Sequence, residues 1–477
     1  MIDKITFDKF KARFDREVVY VMKNNKIPGM SVKITMKGES IYERNYGSRE
    51  LDSQKPTTSD TIYGIASMTK SITCLAIMLL QQEGKLNIQD PIKNYVPIHL
   101  GFENDPITIH HLMCHGSGMP DFGTYVFPII NEDLNTQNTV NIPMNNWDDF
   151  YFHMNDAYKE IVSKPGEKFY YSNDGFTILS QIIEKVSGTS YENFVTQNIL
   201  KKLDMTRSTF FREQLKSLDD VSKGYDDSMD GKKLKRHPKP HTTGPFNSGA
   251  GGLNSSVNDL TKYLSLHLNK GIHKNQRIIS EELIQKMYQP HNPHSKSSDY
   301  LFGFKGEAYG YGLTVIDEFF GKKIIYHSGS SGVSGGVYCF VPELELTYVQ
   351  LQNITSSPNY LFVLALSLLI GLDPDKDIPY FIRRQHLSQL TGSYSAYKNI
   401  LEIDIKEKDY LLYLQEKGDE NVFPLIPSNT DPDCMDFYII QGFGKLDITF
   451  KKLNNEIVFD YERNLMHKKG SFIKDFT

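Results

Sequence analysis

Residues 67–83, SMTKSITCLAIMLLQQE, are apolar on nearly every side of a helix. A surface helix carries one apolar stripe, whereas a helix apolar all round must be packed from every direction. The spacing predicts a helix over 67–83, ended by Gly84, because glycine tolerates the left-handed conformation just past a helix. Such an element belongs in the middle of a fold, with other layers built around it. At its head stand Ser67 and Lys70, three positions apart and therefore on one helix face.

The rest of the chain supplies those layers. Phe7, Phe10, Phe14, Val18 and Val21 recur at three- to four-residue steps and predict an amphipathic amino-terminal helix. GMSVKITMKGESIYERNYG alternates around Lys37-Gly38 as a strand-turn-strand. The middle third reads as helices and long loops, with a hairpin tip near Asp230-Gly231. Strand-like runs return at 310–317, 323–327 and 336–350, and an apolar helix follows at 361–372. Strands, then helices, then strands again predict an α/β fold with a helical region inserted. From about residue 385 the pattern becomes short alternating strands with no helical stretch, such as Leu401, Ile403 and Ile405, then Tyr410, Leu412 and Leu414. A turn at Asn454-Asn455 repeats it. We therefore expect two domains, 1–380 and a small antiparallel β-domain at 385–477, which suits a chain of 477 residues.

Composition narrows the function. A net charge of −5 over this length gives no electrostatic case for nucleic acid or for anionic membranes. The apolar run at 361–372 is too short to span a bilayer, which takes about 20 residues, and the amino end lacks the uninterrupted apolar core of a signal peptide. Four scattered cysteines, Cys74, Cys114, Cys339 and Cys434, form no CxxC motif. The expectation is a cytoplasmic, thiol-containing enzyme or binding protein.

Serine is a poor nucleophile until a base removes its proton, and a lysine can serve if its own pKa is lowered. Ser-x-x-Lys is nonetheless a cheap pattern, also present at Ser395/Lys398 and Ser471/Lys474. The first match stands apart because Lys70 sits where an apolar helix begins, which favours the neutral amine.

The segment TIYGIASMTKSITCLAIMLLQQEGKLNIQDPIKNYVP resembles the serine β-lactamase and penicillin-binding family. The likeness is to its class C branch with the related esterases and D-aminopeptidases (peptidase family S12). ITIHHLMCHGSGMPDF, KPGEKFYYSNDGFTILSQIIEKVSG and NSGAGGLNSSVNDLTKYL agree, so the likeness spans roughly residues 10–375. It implies a β-lactamase/transpeptidase-like antiparallel sheet flanked by helices. It also implies Ser67 as nucleophile, Lys70 as its base and Tyr171, of Tyr171-Ser172-Asn173, as proton carrier. Asn173 would bind both the lysine and the substrate. The family's Lys-Thr-Gly is absent, and His327-Ser328-Gly329 stands in its place. That assigns His327, Gly329 and Ser330 to substrate binding, with the N–H groups of Ser67 and Ser330 as oxyanion hole. Histidine for lysine removes a permanent charge for a substrate carboxylate. His-x-Gly resembles the D-aminopeptidase-type members, whose substrates present a free amine. The implied activity is an acyl-enzyme serine hydrolase of small peptides, with no metal or organic cofactor. A carboxylesterase, a weak β-lactamase and a catalytically silent binding protein stand as alternatives. Some members of that branch carry a lipocalin-like barrel, which LTGSYSAYKNILEIDIK resembles; binding, capping of the site, a homo-oligomer or passive packing are the roles open to it.

Other motifs fail on context. Gly332-Val-Ser334-Gly-Gly336 imitates a nucleophile elbow, but a strand-like run follows where a helix is required. DDSMDG at 226–231 imitates half a calcium loop, yet its twelfth position is His237 rather than Glu. His110, His111 and His115 lack a carboxylate partner and read as core or capping residues. The basic run at 232–241 reads as a solvated loop.

Overall fold

A computed structural model describes residues 4–102, 104–121, 146–230, 233–239, 246–294, 299–355, 358–408, 410–442 and 444–469. They fall into two compact units, one within 7–297 and 304–365, the other within 366–477 together with two short stretches.

The first unit is built on a nine-stranded antiparallel sheet. Its strands are β1 (Gly29–Met36), β2 (Glu39–Glu50), β3 (Lys55–Pro56), β4 (Asn292–Pro293), β5 (Lys305–Tyr309), β6 (Thr314–Phe319), β7 (Lys322–Ser330), β8 (Gly335–Val341) and β9 (Leu346–Gln352), in the spatial order β4-β5-β6-β7-β8-β9-β1-β2-β3. β1 pairs with β9, Val32 opposite Gln350, so the early and late strands share one sheet and the helical residues lie between β3 and β4 as an insertion.

Adjacent residues of a strand point to opposite faces, and both faces of this sheet are covered. On one, Phe14 of helix α1 (Lys4–Asn24) meets Tyr348 and Tyr42 edge-on at 6.4 and 5.2 Å. On the other, Tyr338 and Tyr263 both bond the Ser71 hydroxyl, tying β8 to α2 (Thr69–Gln82) and to a helix at Val257–Leu268. From Thr69 to Leu80 every residue of α2 is buried, as an all-round apolar sequence requires. Gly84 follows its end at φ +67°. Helix α3 (Asn173–Ser187) packs against α2, and the apolar run after β9 forms a helix at Tyr360–Leu369.

The second unit contains a closed eight-stranded antiparallel barrel of sequential strands from Gly392 to Lys468, closed by the pairing of Tyr394 with Lys468. Ile403, Ile405, Leu412 and Leu414 fill its interior. Asn454 and Asn455 both take positive φ, +47° and +71°, in the two-residue turn that joins Leu453 to Glu456; a hairpin of that length favours this conformation.

Three expectations are corrected. A helix at Pro379–Leu390 persists beyond residue 385, because Leu387 and Leu390, three apart, bury together in the barrel core. The run 336–350 is two strands, interrupted by a turn at Pro342–Leu344 that is followed by a left-handed Glu345. Most of the basic run lies in a strand, Lys233–Lys239, paired with Gly224–Asp230 rather than looped. Residues 231–232 of the expected hairpin tip, and the pair Ser471/Lys474, lie outside the described residues. Among the described residues no helix is long and apolar enough to cross a membrane.

Candidate active site

Ser67 lies in a single 3₁₀ turn, Ala66–Met68, that leads directly into α2. The residue before it, Ala66, has φ +48°. That is a left-handed backbone on a residue with a Cβ, which stores on the order of 1–3 kcal/mol. The turn is held from outside: Ile65 N–H donates to the Leu253 carbonyl, and the Ser334 hydroxyl to the Gly64 carbonyl.

One helical turn on, Lys70 has no exposed surface. Its Nζ donates to three acceptors, Ser67 Oγ at 3.0 Å, Asn173 Oδ1 at 2.8 Å and the Ala250 carbonyl at 2.8 Å. Burial disfavours the ammonium and brings its pKa down to about 7, while Asp121 and Cys74 push in the opposite direction. A lysine so placed holds an appreciable fraction of free amine at neutral pH, next to the hydroxyl it would deprotonate.

Tyr171 is 37% exposed as a residue. Its phenol is nevertheless desolvated, which raises its pKa well above the ordinary value, against a hydrogen bond to Ser67 that lowers it. Its ring lies tilted by 34° against buried His115 with centroids 4.1 Å apart, and Lys70 Nζ lies 4.9 Å from its ring centre. Of the two titratable groups beside Ser67, Lys70 is the one with free base available near pH 7.

Asn173 opens α3, whose N-cap is Ser172. Its side-chain oxygen meets Lys70, while its Nδ2 donates to Asp121 Oδ2 at 3.1 Å.

The far wall is β7. His327 is buried, with Nδ1 against the Ser328 carbonyl at 2.6 Å and Nε2 against the Tyr309 hydroxyl at 2.8 Å. A neutral imidazole with its proton on Nδ1 satisfies both. Along an antiparallel strand, N–H groups alternate between the two neighbours. Ser331 N–H donates to the Ser334 carbonyl, towards β8, so Ser330 N–H faces the opposite edge. β6 does not follow there, since its pairing with β7 ends where Thr314 meets Tyr326. Gly329 makes the approach to Ser67 feasible: a Cβ on it would lie 2.2 Å from the Ile65 carbonyl and 3.1 Å from Ser67 N. Between these walls lies a cleft of about 520 Å³ lined by Ser67, Phe169, Tyr171, Tyr309, His327 and Ser330, among others.

The residues singled out from the sequence, Ser67, Lys70, Tyr171, Asn173, His327, Gly329 and Ser330, thus gather at one cleft. The competing motifs do not. In Ser395/Lys398 the lysine sits in a hairpin turn of the barrel at φ +53°. A second Tyr-x-Asn triplet, Tyr191-Glu192-Asn193, has its tyrosine hydroxyl bonded to Thr73 inside the core. His111 completes a capping box with Thr108, and His110 bonds Tyr311. Among the described residues no His, Cys, Asp or Glu group could hold a metal ion. Sequence reasoning missed Asp121, Tyr309 and the Ala250 carbonyl. Asp121 follows Pro120 in ITIHHLMCHGSGMPDF, where nothing in the neighbouring residues marks it out.

A β-lactamase family model matches residues 14–370. This chain belongs to the β-lactamase family. The family comprises serine hydrolases and penicillin-binding proteins, and a second model, the Pab87 octamerisation domain, matches residues 374–467. An octameric penicillin-binding protein homologue from Pyrococcus abyssi is 34% identical with a TM-score of 0.84, over 96% of this chain and 99% of that one. Protein flp of Staphylococcus aureus is 33% identical over 215 residues, 44% of this chain and 40% of its own length. Penicillin-binding protein 4* of Bacillus subtilis is 30% identical over 197 residues, 39% of this chain and 40% of its own. The matched region is thus two-fifths of these curated relatives' length.

Proposed function

We propose that this chain hydrolyses amide bonds of small peptides through an acyl-enzyme on Ser67, with a D-aminopeptidase-like preference. The observation that carries the reading is the fully buried Lys70 amine, 3.0 Å from Ser67 Oγ and with its pKa brought to about 7.

Lys70 takes the Ser67 proton as Oγ bonds to the substrate carbonyl carbon. The oxyanion that forms is held by the N–H groups of Ser67 and Ser330. Tyr171 passes its proton to the departing amine as the C–N bond breaks, and Lys70 returns a proton to Tyr171. Water then attacks the ester by the reverse relay and frees Ser67. Asn173 and His327 position the substrate. The preference for a free amine over a carboxylate is supported by the cleft lining, to which, apart from Lys70 beneath Ser67, no arginine or lysine is added among the described residues.

The test is the initial rate on D-alanine p-nitroanilide against its L-enantiomer, with Ser67→Ala as blank. A serine-dependent D-preference supports the reading. Turnover only of esters or of a chromogenic β-lactam moves it to an esterase or weak β-lactamase on the same residues, and failure of Ser67 to react with a fluorophosphonate moves it to a binding protein.

The octamerisation-domain match and the octameric Pyrococcus abyssi homologue further support a homo-oligomer formed through residues 374–467. Light scattering on the intact chain measures this, and a monomeric mass refutes it.

A further inference from the structure

Residues 115 and 121 hold the backbone of 170–174 at four of its N–H groups. Tyr170 N–H donates to the His115 carbonyl at 2.8 Å, and Ser172 N–H to His115 Nδ1 at 3.1 Å. Asn173 and Asp174 N–H both donate to Asp121 Oδ1, at 2.9 and 3.0 Å. Asp121 Oδ2 is left for the Asn173 side chain, accepting from Nδ2 at 3.1 Å.

An asparagine amide has an accepting end and a donating end, while an ionised carboxylate only accepts. With Nδ2 held by Asp121, Oδ1 is the end turned to Lys70, and it accepts from Nζ at 2.8 Å. Rotated by half a turn, the amide would set oxygen against carboxylate and NH₂ against ammonium. Helix capping accounts for the two backbone bonds, since acceptors and negative charge are favourable at a helix N-terminus. It does not account for the third, and Ser172 already caps α3 by accepting from Gly175 N–H at 3.0 Å.

We propose that Asp121 is a positioning residue whose carboxylate fixes the amide orientation of Asn173 and, through it, the place of the Lys70 amine beside Ser67. This rests on the reading of Ser67 and Lys70 given above. The charged and titratable groups that face Lys70 are Asp121 and His115 from the segment before α3, Tyr171 from its entry loop, and Cys74 on α2 itself. Asp121 favours the ammonium. Losing its charge therefore lets Lys70 shed its proton at lower pH, even as the amine loses its fixed partner.

The experiment measures kcat, KM and the rate of Ser67 labelling by a fluorophosphonate, each against pH, for wild type and Asp121→Asn. The expected result is a fall in kcat of about tenfold or more with KM within about threefold, and an acid limb displaced to lower pH. If Asp121→Asn lowers only the melting temperature, with kcat and limb as in wild type, Asp121 is a helix cap and the proposal is overturned. Should that variant not fold, Asp121→Ser, which still offers the helix an oxygen, carries the same test. In an Asn173→Ala background either change should cost no further kcat; an additive loss also overturns the proposal. A wild-type protein that the probe does not label at Ser67 fails the underlying reading, and the proposal falls with it.

Discussion

Lys70 and Asn173 meet at 2.8 Å, amine nitrogen to amide oxygen, across 103 residues of chain. The contact joins the head of α2 to the first residue of α3, so the neighbour of Ser67 is fixed by two helices rather than by a loop. Ala250 and Ser67 complete its surroundings. The ammonium is therefore fully paired yet buried, which is how the fold tolerates a lysine in an apolar helix and still leaves its proton removable.

The first prediction is a pH profile. With Lys70 as the base the free amine is the reactive form, and burial brings its pKa down to about 7. Below that value kcat/KM should fall about tenfold per pH unit, and above it the rate should level. The limb should appear equally in Ser67 labelling, which needs no leaving amine. A flat profile between about pH 5 and 8 would remove Lys70 from the role of base. The same shift has a stability counterpart. From about pH 7 up to the ordinary lysine value the unfolded chain keeps a proton that the folded one has lost, so this group makes stability rise with pH across that window.

Tyr171→Phe should lower kcat by about 10²- to 10⁴-fold with little change in KM. The phenol hydroxyl is the only group removed, and the ring keeps its contact with His115. Urea unfolding should accordingly shift by no more than about 1 kcal/mol. Near-wild-type kcat in the folded variant would leave proton delivery to Lys70 alone.

Gly329→Ala separates backbone approach from side-chain chemistry. Its Cβ would lie 2.2 Å from the Ile65 carbonyl, so β7 must retreat from the turn that carries Ser67. Retreat carries the Ser330 N–H away from the oxyanion position, with an expected loss of about 10²- to 10³-fold in kcat. An acyl-enzyme forming at the wild-type rate, by intact-protein mass spectrometry, would show that this amide is not needed.

How much of this was legible follows from the range of each signal. The α2 helix, the alternation of Ile403 and Ile405 and the Asn454-Asn455 turn are written in a few consecutive residues, and each appears in the structure. Likeness to a family brought Tyr171 and His327 to the same site as Ser67, which no periodicity could do. Asp121 and Tyr309 escaped because an aspartate after proline and a tyrosine in a strand look ordinary. Their meaning lies in partners 52 and 18 residues away. The helix at Pro379–Leu390 escaped for a related reason: only the presence of the barrel core gives Leu387 and Leu390 a common destination.

His327→Lys tests what the histidine has changed. The imidazole is 5% exposed and is held between the Tyr309 hydroxyl and the Ser328 carbonyl. Both oxygens can accept from an ammonium, so a lysine introduced here has two partners and a third donor for the cleft. A fixed positive charge beside Ser67 favours a substrate carboxylate and repels a substrate ammonium by the same Coulombic term. The ratio of penicillin acylation to D-alanine p-nitroanilide hydrolysis should therefore rise by about tenfold or more, the equivalent of about 1.4 kcal/mol of discrimination. Both rates can be read on one preparation, the first as acyl-enzyme by mass spectrometry and the second as released nitroaniline. If both rates fall together and their ratio holds, His327 shapes the wall of the cleft without setting the charge it selects, and the proposed preference for an amine loses this support.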